Sequence, residues 1–315
     1  MSSPYRAVSC DTEARPGYDT CKAHEYLDTP EVLKKKVSEL ALLIKRAKNC
    51  VIYSGAGIST SSGINDYASK SRKSLSGVKS NKKLTGGKLR SVFDAQPTYA
   101  HLTLTCLEKA GLVQYWVQQN HDGLPQKAGY PQHKLNEIHG AWFDPSNTVV
   151  PMNGLLRDDY FDDLTFWEEK ADLVLALGTS MCGMNADSVV TTCAQKGCFG
   201  DTLGSVIINL QRTQYDHLSC LRIYAKIDDV MALLAKEFQL QDNIKAQKAK
   251  SPYTLPKSLI DKRVFSLPKY DAKTGKKLPT KKTDEQKTSS NPKTCTLDLR
   301  EGKIVRITEG HYKGD

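Results

Sequence analysis

The 315-residue chain holds 45 Lys and Arg against 35 Asp and Glu, for a net charge of +10, and is long enough to bury one large core or two modest ones. No run of eighteen apolar residues occurs and the polar N-terminus lacks a signal-peptide core, which argues against a membrane-bound or secreted protein. Nine scattered cysteines (10, 21, 50, 106, 182, 193, 198, 220 and 295) form no CxxC pair and read as reduced thiols of a nuclear or cytoplasmic protein.

Residues 1–28 show no sustained periodicity and are expected as a flexible arm. Thr29, Pro30 and Glu31 make a helix start: a capping hydroxyl, a proline at the first helical position, and an acid near the positive dipole end. Leu33, Val37, Leu40 and Ile44 then share one helical face, suited to packing on a sheet. Strand-like runs are predicted at 51–53, 113–119, 173–177, 206–209 and 221–225, with helical patterns between several of them and a closing helix at 228–238. That alternation predicts an α/β fold built on a doubly wound parallel sheet, which takes its ligands beyond the carboxyl ends of the strands.

The charge is uneven. Residues 70–90 hold eight basic residues and no acid, and 69–91 reads as a basic flap insertion, either a solvated loop or a contact for nucleic acid or an acidic partner. Residues 242–294 hold thirteen Lys and one Arg against five acids, +9 of the total; this is a basic linker or a second electrostatic contact. Lys276, Lys277, Lys281 and Lys282 within it fit a nuclear address. Residues 295–315 alternate, predicting two short strands around Glu301 and Gly302 and, in one reading, the start of a further module.

Three strings carry the candidate chemistry. Gly55, Ala56 and Gly57 follow the run 51–53; two glycines there let the backbone approach a diphosphate, and a helix after them would aim its N-terminal amides at it. A Gly-x-Gly after a strand is weak evidence alone. It is joined by Gln119-Asn120-His121-Asp122-Gly123 and by Glu137-Ile138-His139-Gly140. With Gly178-Thr179-Ser180 and the strand ending Asn209-Leu210-Gln211, these strings, in this order, resemble the sirtuins, NAD-dependent protein deacylases, from about residue 33 to 240. Gly129-Tyr130-Pro131 and Asn209-Leu210-Gln211 with Thr213 are closest in wording to the class IV branch.

The resemblance implies a Rossmann-like NAD-binding domain over 29–241, with a reduced small domain at 141–170, and removal of acyl groups from protein lysine with release of nicotinamide and O-acyl-ADP-ribose. It makes His139 the base toward a ribose hydroxyl, a role an imidazole of pKa near ~6.5 suits. Asn120 and Asp122 would orient the nicotinamide carboxamide and an ordered ribose or water. Gly55, Ala56, Gly57, Ser59 and Thr60 form the implied diphosphate cradle, Asp66 and Tyr67 are further implied cofactor contacts, and Gln119 is a ribose contact. Gly178, Thr179, Ser180, Asn209, Gln211 and Ile227 line the adenosine side. Val149, Val150, Met152 and Asn153 resemble the strand that pairs with the substrate peptide, a histone tail being one candidate.

The sequence also departs from the family pattern. The two CxxC zinc pairs are absent, since no cysteine lies between Cys106 and Cys182, and His133 and His139 cannot replace four tetrahedral ligands. No structural zinc is expected, and Trp142, Phe143, Phe161 and Trp167 are expected to supply replacement packing. Ala68 stands where the family places an arginine, Pro125 where it places a histidine, and His121 where it places an aliphatic residue. The loss of one charge-assisted contact predicts weaker NAD binding, by about 1.5–3 kcal/mol. Two other readings stay open: an ADP-ribosyltransferase or NAD hydrolase on the same fold, and a noncatalytic NAD-binding or chromatin-tethering module.

Overall fold

Cys50–Ser54 is buried at all five positions and forms β3, the middle of a parallel sheet. β4 (Tyr115–Gln118) and β5 (Leu135–Glu137) extend the sheet on one side; β6 (Leu173–Leu177), β7 (Gly204–Ile208) and β8 (Leu221–Ile223) extend it on the other. The order is β5-β4-β3-β6-β7-β8, and every pairing is parallel. The chain leaves β3 toward β4 and returns to the far side of β3 as β6, so the topological switch point lies between β3 and β6. The computed structural model describes residues 4–9, 24–65, 95–144, 146–151, 154–182, 184–249, 264–268 and 294–298.

Alternation along β3 sends Cys50 and Ile52 into one apolar layer and Val51 and Tyr53 into the other. The first layer is filled by α1 (Pro30–Arg46), α2 (Tyr99–Lys109) and α6 (Ile227–Glu237), the second by α4 (Asp158–Lys170) and α5 (Ser188–Cys198). In α1, Val37, Leu40, Ala41 and Ile44 are buried, which is the predicted face. Thr29 is its N-cap, but the hydroxyl makes no capping bond, and the Thr29 N–H donates to the Pro4 carbonyl at 3.1 Å. No helix among the described residues is long and apolar enough to cross a membrane.

The expected flexible arm is corrected at both its ends. Tyr5–Ser9 (β1) pairs antiparallel with Glu25–Asp28 (β2), and β2 is tied to the main unit. Tyr26 N–H donates to Leu210 O at 2.9 Å and Asp28 N–H to Tyr224 O at 2.8 Å. The Asp28 carboxylate accepts from Lys36 Nζ at 2.8 Å and from Tyr224 N–H at 3.0 Å. Nearly all these partners are remote in sequence, so local periodicity carried no sign of them.

The first unit runs from Met1 to Pro252, past the expected boundary at 241, because α7 (Gln241–Ala249) buries Ile244 and Gln247. In the second unit, Tyr253–Asp315, β9 (Val264–Pro268) pairs antiparallel with β10 (Thr294–Asp298). The predicted strand near 295 thus takes its partner from the stretch expected as linker. Glu301 and Gly302 lie outside the described residues.

Candidate active site

At the switch point the loops leaving β3 and β6 cross backbone to backbone. Gly55 N–H donates to Leu177 O at 3.0 Å and Gly57 N–H to Gly178 O at 2.8 Å. A Cβ on Gly55 would stand 2.9 Å from Gly178 O, and one on Gly57 2.7 Å from Gly178 Cα. The crossing therefore requires these glycines before any ligand is considered. Among the described residues, the helix expected directly after them is not formed. Two short 3₁₀ turns, Ala56–Ile58 and Thr60–Ser62, take its place, and Gly63 at φ 93° ends the second. Asp66, Tyr67, Ala68 and the basic flap 69–91 lie outside the described residues.

A polar ring surrounds the crossing. Gln119 Nε2 donates to Thr179 Oγ1 at 2.8 Å, and Asn209 Nδ2 donates to the Thr179 carbonyl at 3.2 Å. Asn120 Nδ2 reaches both Gly55 O at 3.1 Å and Ser59 Oγ at 3.2 Å. Ser59 Oγ donates to Asp122 Oδ2 at 2.6 Å, while Asp122 Oδ1 accepts the Leu124 N–H that opens α3 (Leu124–Lys127) at 3.0 Å. Burial raises the Asp122 carboxyl, opposed first by the Ser59 hydroxyl. Thr60 Oγ1 is turned to Gly57 O at 3.1 Å, and Ser180 is half-buried at the same loop. These contacts bring Gly55, Gly57, Ser59, Gln119, Asn120, Asp122, Gly178, Thr179 and Asn209 together at the crossing, with Ala56 opening the first 3₁₀ turn.

His139 follows β5 by two residues and is half-buried. Burial lowers its pKa, as does the neighbouring His121, and a hydrogen bond to the Gln119 backbone opposes the shift. The ring therefore favours its neutral, proton-accepting form at neutral pH. The His139 carbonyl accepts the Val150 N–H at 2.9 Å, which lays 148–150 alongside. Gly140 (φ 85°) permits that approach, since a Cβ would run into the Thr148 carbonyl. Val149 is exposed beside this segment, and Met152 and Asn153 lie outside the described residues. His121 Nδ1 contacts the Gly140 carbonyl at 2.8 Å, bracing the same turn.

Two residues assigned to the adenosine side stand differently from the rest. Gln211 is buried, and its backbone forms a bridge with Glu25 of β2. Ile227 opens α6 inside the apolar layer. Sequence reasoning missed their neighbour Asp228, whose carboxylate accepts from Ser61 Oγ at 2.6 Å and from Ala100 N–H at 2.8 Å. It fastens the glycine loop and α2 to α6. An acid in a first helical turn was the available signal.

Among the described residues the cysteines do not gather into a four-cysteine zinc site. Cys50 and Cys193 are buried in opposite layers of the sheet, and no group of three His, Cys, Asp or Glu suited to a metal occurs among the described residues. The expected aromatic replacement is corrected in part. Trp167 stacks on Tyr115 with ring centroids 4.7 Å apart, but Trp142, Phe143 and Phe161 are exposed. Phe161, three residues before the buried Leu164, stands at the edge of that α4 face and stays exposed.

A family model described as the Sir2 family matches residues 55–150. Over 245 residues the chain is 31% identical to the NAD-dependent protein deacetylase SRT1 of Oryza sativa subsp. indica, covering 66% of this chain and 49% of that protein. Over 265 residues it is 31% identical to the NAD-dependent protein deacetylase sirtuin-7 of Bos taurus, covering 70% of this chain and 64% of that protein. The chain thus spans about half the length of the rice relative. A solved Sir2 with a p53 peptide and NAD+ matches with TM-score 0.52 at 22% identity, over 65% of this chain and 99% of that one, a likeness of fold. The ordered motifs, the parallel sheet that gathers them at its switch point, and these matches agree: the chain belongs to the Sir2 family, the sirtuins.

Proposed function

We propose that the chain is an NAD-dependent protein-lysine deacylase. The observation that carries this reading is the placement of His139. Its imidazole bonds the Gln119 backbone beside the polar ring at the switch point, while its carbonyl accepts the Val150 N–H and so holds 148–150 next to the site, where a peptide would lie. The names of the rice and bovine relatives support the same activity. Gly55, Ala56, Gly57, Ser59 and Thr60 would hold the diphosphate of NAD, with Asp66 and Tyr67 as further cofactor contacts. Gln119, Asn120 and Asp122 would hold its nicotinamide end, and Gly178, Thr179, Ser180, Asn209, Gln211 and Ile227 its adenosine end. The fit rests on the side-chain-free crossing of Gly55, Gly57 and Gly178, ringed by amide and hydroxyl groups. Bound NAD would supply the electrophilic ribose carbon exposed as nicotinamide departs.

The residues have separable tasks. Asp122 fixes Ser59 and the start of α3, Asn120 aims its amide across the glycine loop, and neutral His139 accepts a proton. Val149, Val150, Met152 and Asn153 would pair with the acylated peptide, of which a histone tail is one candidate. A nuclear or cytoplasmic setting and contact of the basic flap and tail with nucleic acid or an acidic partner belong to the same proposal. The test is nicotinamide release with and without an acylated histone-type peptide. Peptide-dependent release supports deacylation; release without peptide points to ADP-ribosyl transfer or NAD hydrolysis, and binding without release to a noncatalytic module.

The proposal includes folding without structural zinc. A structural zinc contributes folding energy directly, so its removal unfolds a protein that depends on it. The purified chain is expected to keep its melting temperature in a strong chelator and to show no stoichiometric zinc by elemental analysis. One tightly held zinc per chain would overturn this.

A further inference from the structure

Gln118 and Glu137 are cross-strand neighbours at the carboxyl ends of β4 and β5. Alternation puts both on the face that carries Trp116 and Leu135. Both are fully buried, at 0% exposure. Yet the Gln118 amide nitrogen and oxygen, both Glu137 carboxyl oxygens and Gln126 Oε1 have no hydrogen-bond partner among the described residues. Gln126 and Gln132 reach toward the Glu137 carboxyl without closing a bond to it. Buried polar atoms left open by protein groups are ordinarily satisfied by internal water.

We propose that Gln118, Gln126 and Glu137 enclose a buried water site, and that Glu137, held there as a neutral acid, is a positioning residue for His139, which sits in the turn that the Glu137 carbonyl closes by accepting the Gly140 N–H at 2.9 Å. The hydrogen-bond inventory favours this arrangement. A neutral acid contributes one O–H donor, the Gln118 amide two N–H donors, and a water two more, while the carbonyl oxygens of Gln118, Gln126 and Glu137 and the water oxygen can each accept two bonds, so donors are the scarce partner. A carboxylate would remove one donor and add an acceptor, widening the shortage.

The surrounding charges point the same way. Burial, then Asp144 and Asp122, push the Glu137 carboxyl up to about 7, against the pull of Gln126 and Gln132. Tyr160 of α4 also faces it. Among nearby cations, Lys134 pairs with Glu108 at 2.6 Å, and Lys127 reaches the Ala95 carbonyl and the Phe143 ring. His139 itself favours the neutral form. Because the folded value lies above the unfolded one of 4.5, the folded chain binds more protons between the two. Stability therefore falls as pH rises from about 4.5 to about 7 and is level above that window.

The water site rests on the fold alone; only the link to turnover depends on the proposed deacylase activity. The experiment measures melting temperature and acyl-peptide-dependent nicotinamide release from about pH 5 to about pH 9 for the native chain, E137Q and E137L. E137Q keeps a donor and an acceptor without a titrating proton and should flatten the decline in melting temperature. E137L should lower kcat on the order of ten- to hundredfold with little change in the KM for NAD, because it disturbs placement of His139 rather than cofactor contacts. A high-resolution crystal structure should show ordered water among the three side chains. An E137Q melting profile that falls as the native one does, or a folded E137L with native kcat, would overturn the proposal. So would a direct Gln118–Glu137 bond with no room for water. If the native chain releases no nicotinamide, the function reading fails, and the melting profiles still decide the protonation of Glu137.

Discussion

Replacement of His139 by alanine is expected to lower acyl-lysine-dependent nicotinamide release by about 10²–10⁴-fold, the range for loss of a general base, with the melting temperature nearly unchanged. The small structural cost follows from its setting. The ring is half-buried, and the backbone bond that aligns 148–150 uses the carbonyl of residue 139, which alanine retains. The neutral ring also sets the pH dependence of the native chain. With the pKa lowered from 6.5, the acid limb of turnover should lie below pH 6.5. Unchanged turnover in the folded variant would remove His139 from the chemistry.

Gly178→Ala should have the larger effect on stability. Residue 178 sits at φ 59°, and an added Cβ would lie 2.7 Å from three backbone atoms: Gly57 Cα, Gly57 C and Ile58 N. None is the end of a side chain that can swing away, so the β3 and β6 loops must part. A left-handed residue plus a backbone overlap places this change among the severe single substitutions, at about 3–5 kcal/mol. Denaturant midpoints at constant slope would measure it. Separation of the loops also displaces Thr179, which holds both Gln119 and Asn209, so NAD-dependent turnover should fail in whatever fraction remains folded. A loss below about 0.5 kcal/mol, the scale of ordinary surface changes, would mean that the crossing relaxes more easily than its geometry indicates.

The central sheet was legible because β3 and β6 are buried on both faces and read as unbroken apolar runs. α1 was legible from its face and its proline. β5 was not: two of its three residues, Asn136 and Glu137, are polar yet fully buried, so neither hydrophobicity nor alternation marks a strand there. The same burial is what makes Glu137 chemically unusual. The glycine loop was placed correctly but for an incomplete reason, because Gly55 and Gly57 first satisfy contact with Gly178. Ser59 came from the family resemblance, while its tie to Asp122 depends on two loops meeting across 63 residues of chain.

The docking of β2 has a consequence for anyone shortening the chain. The motifs begin after residue 50, and a start near Thr29 looks harmless from sequence. Such a truncation would leave the carbonyls of Leu210 and Tyr224 without their donors and remove Asp28 from Lys36 and from the Tyr224 N–H. The ring of Tyr224, now packed 5.5 Å from that of Tyr26, would be uncovered, as would the bridge from Glu25 to Gln211. Apart from the Lys36 pair, which holds α1, these contacts brace the segment after β7 and β8, next to Asn209, and none reaches β3. A trimmed protein should therefore keep its circular-dichroism spectrum and its central sheet, yet hold NAD poorly at the adenosine end. Weak activity in such a sample would reflect where the chain was cut, with His139 and the glycine loop intact.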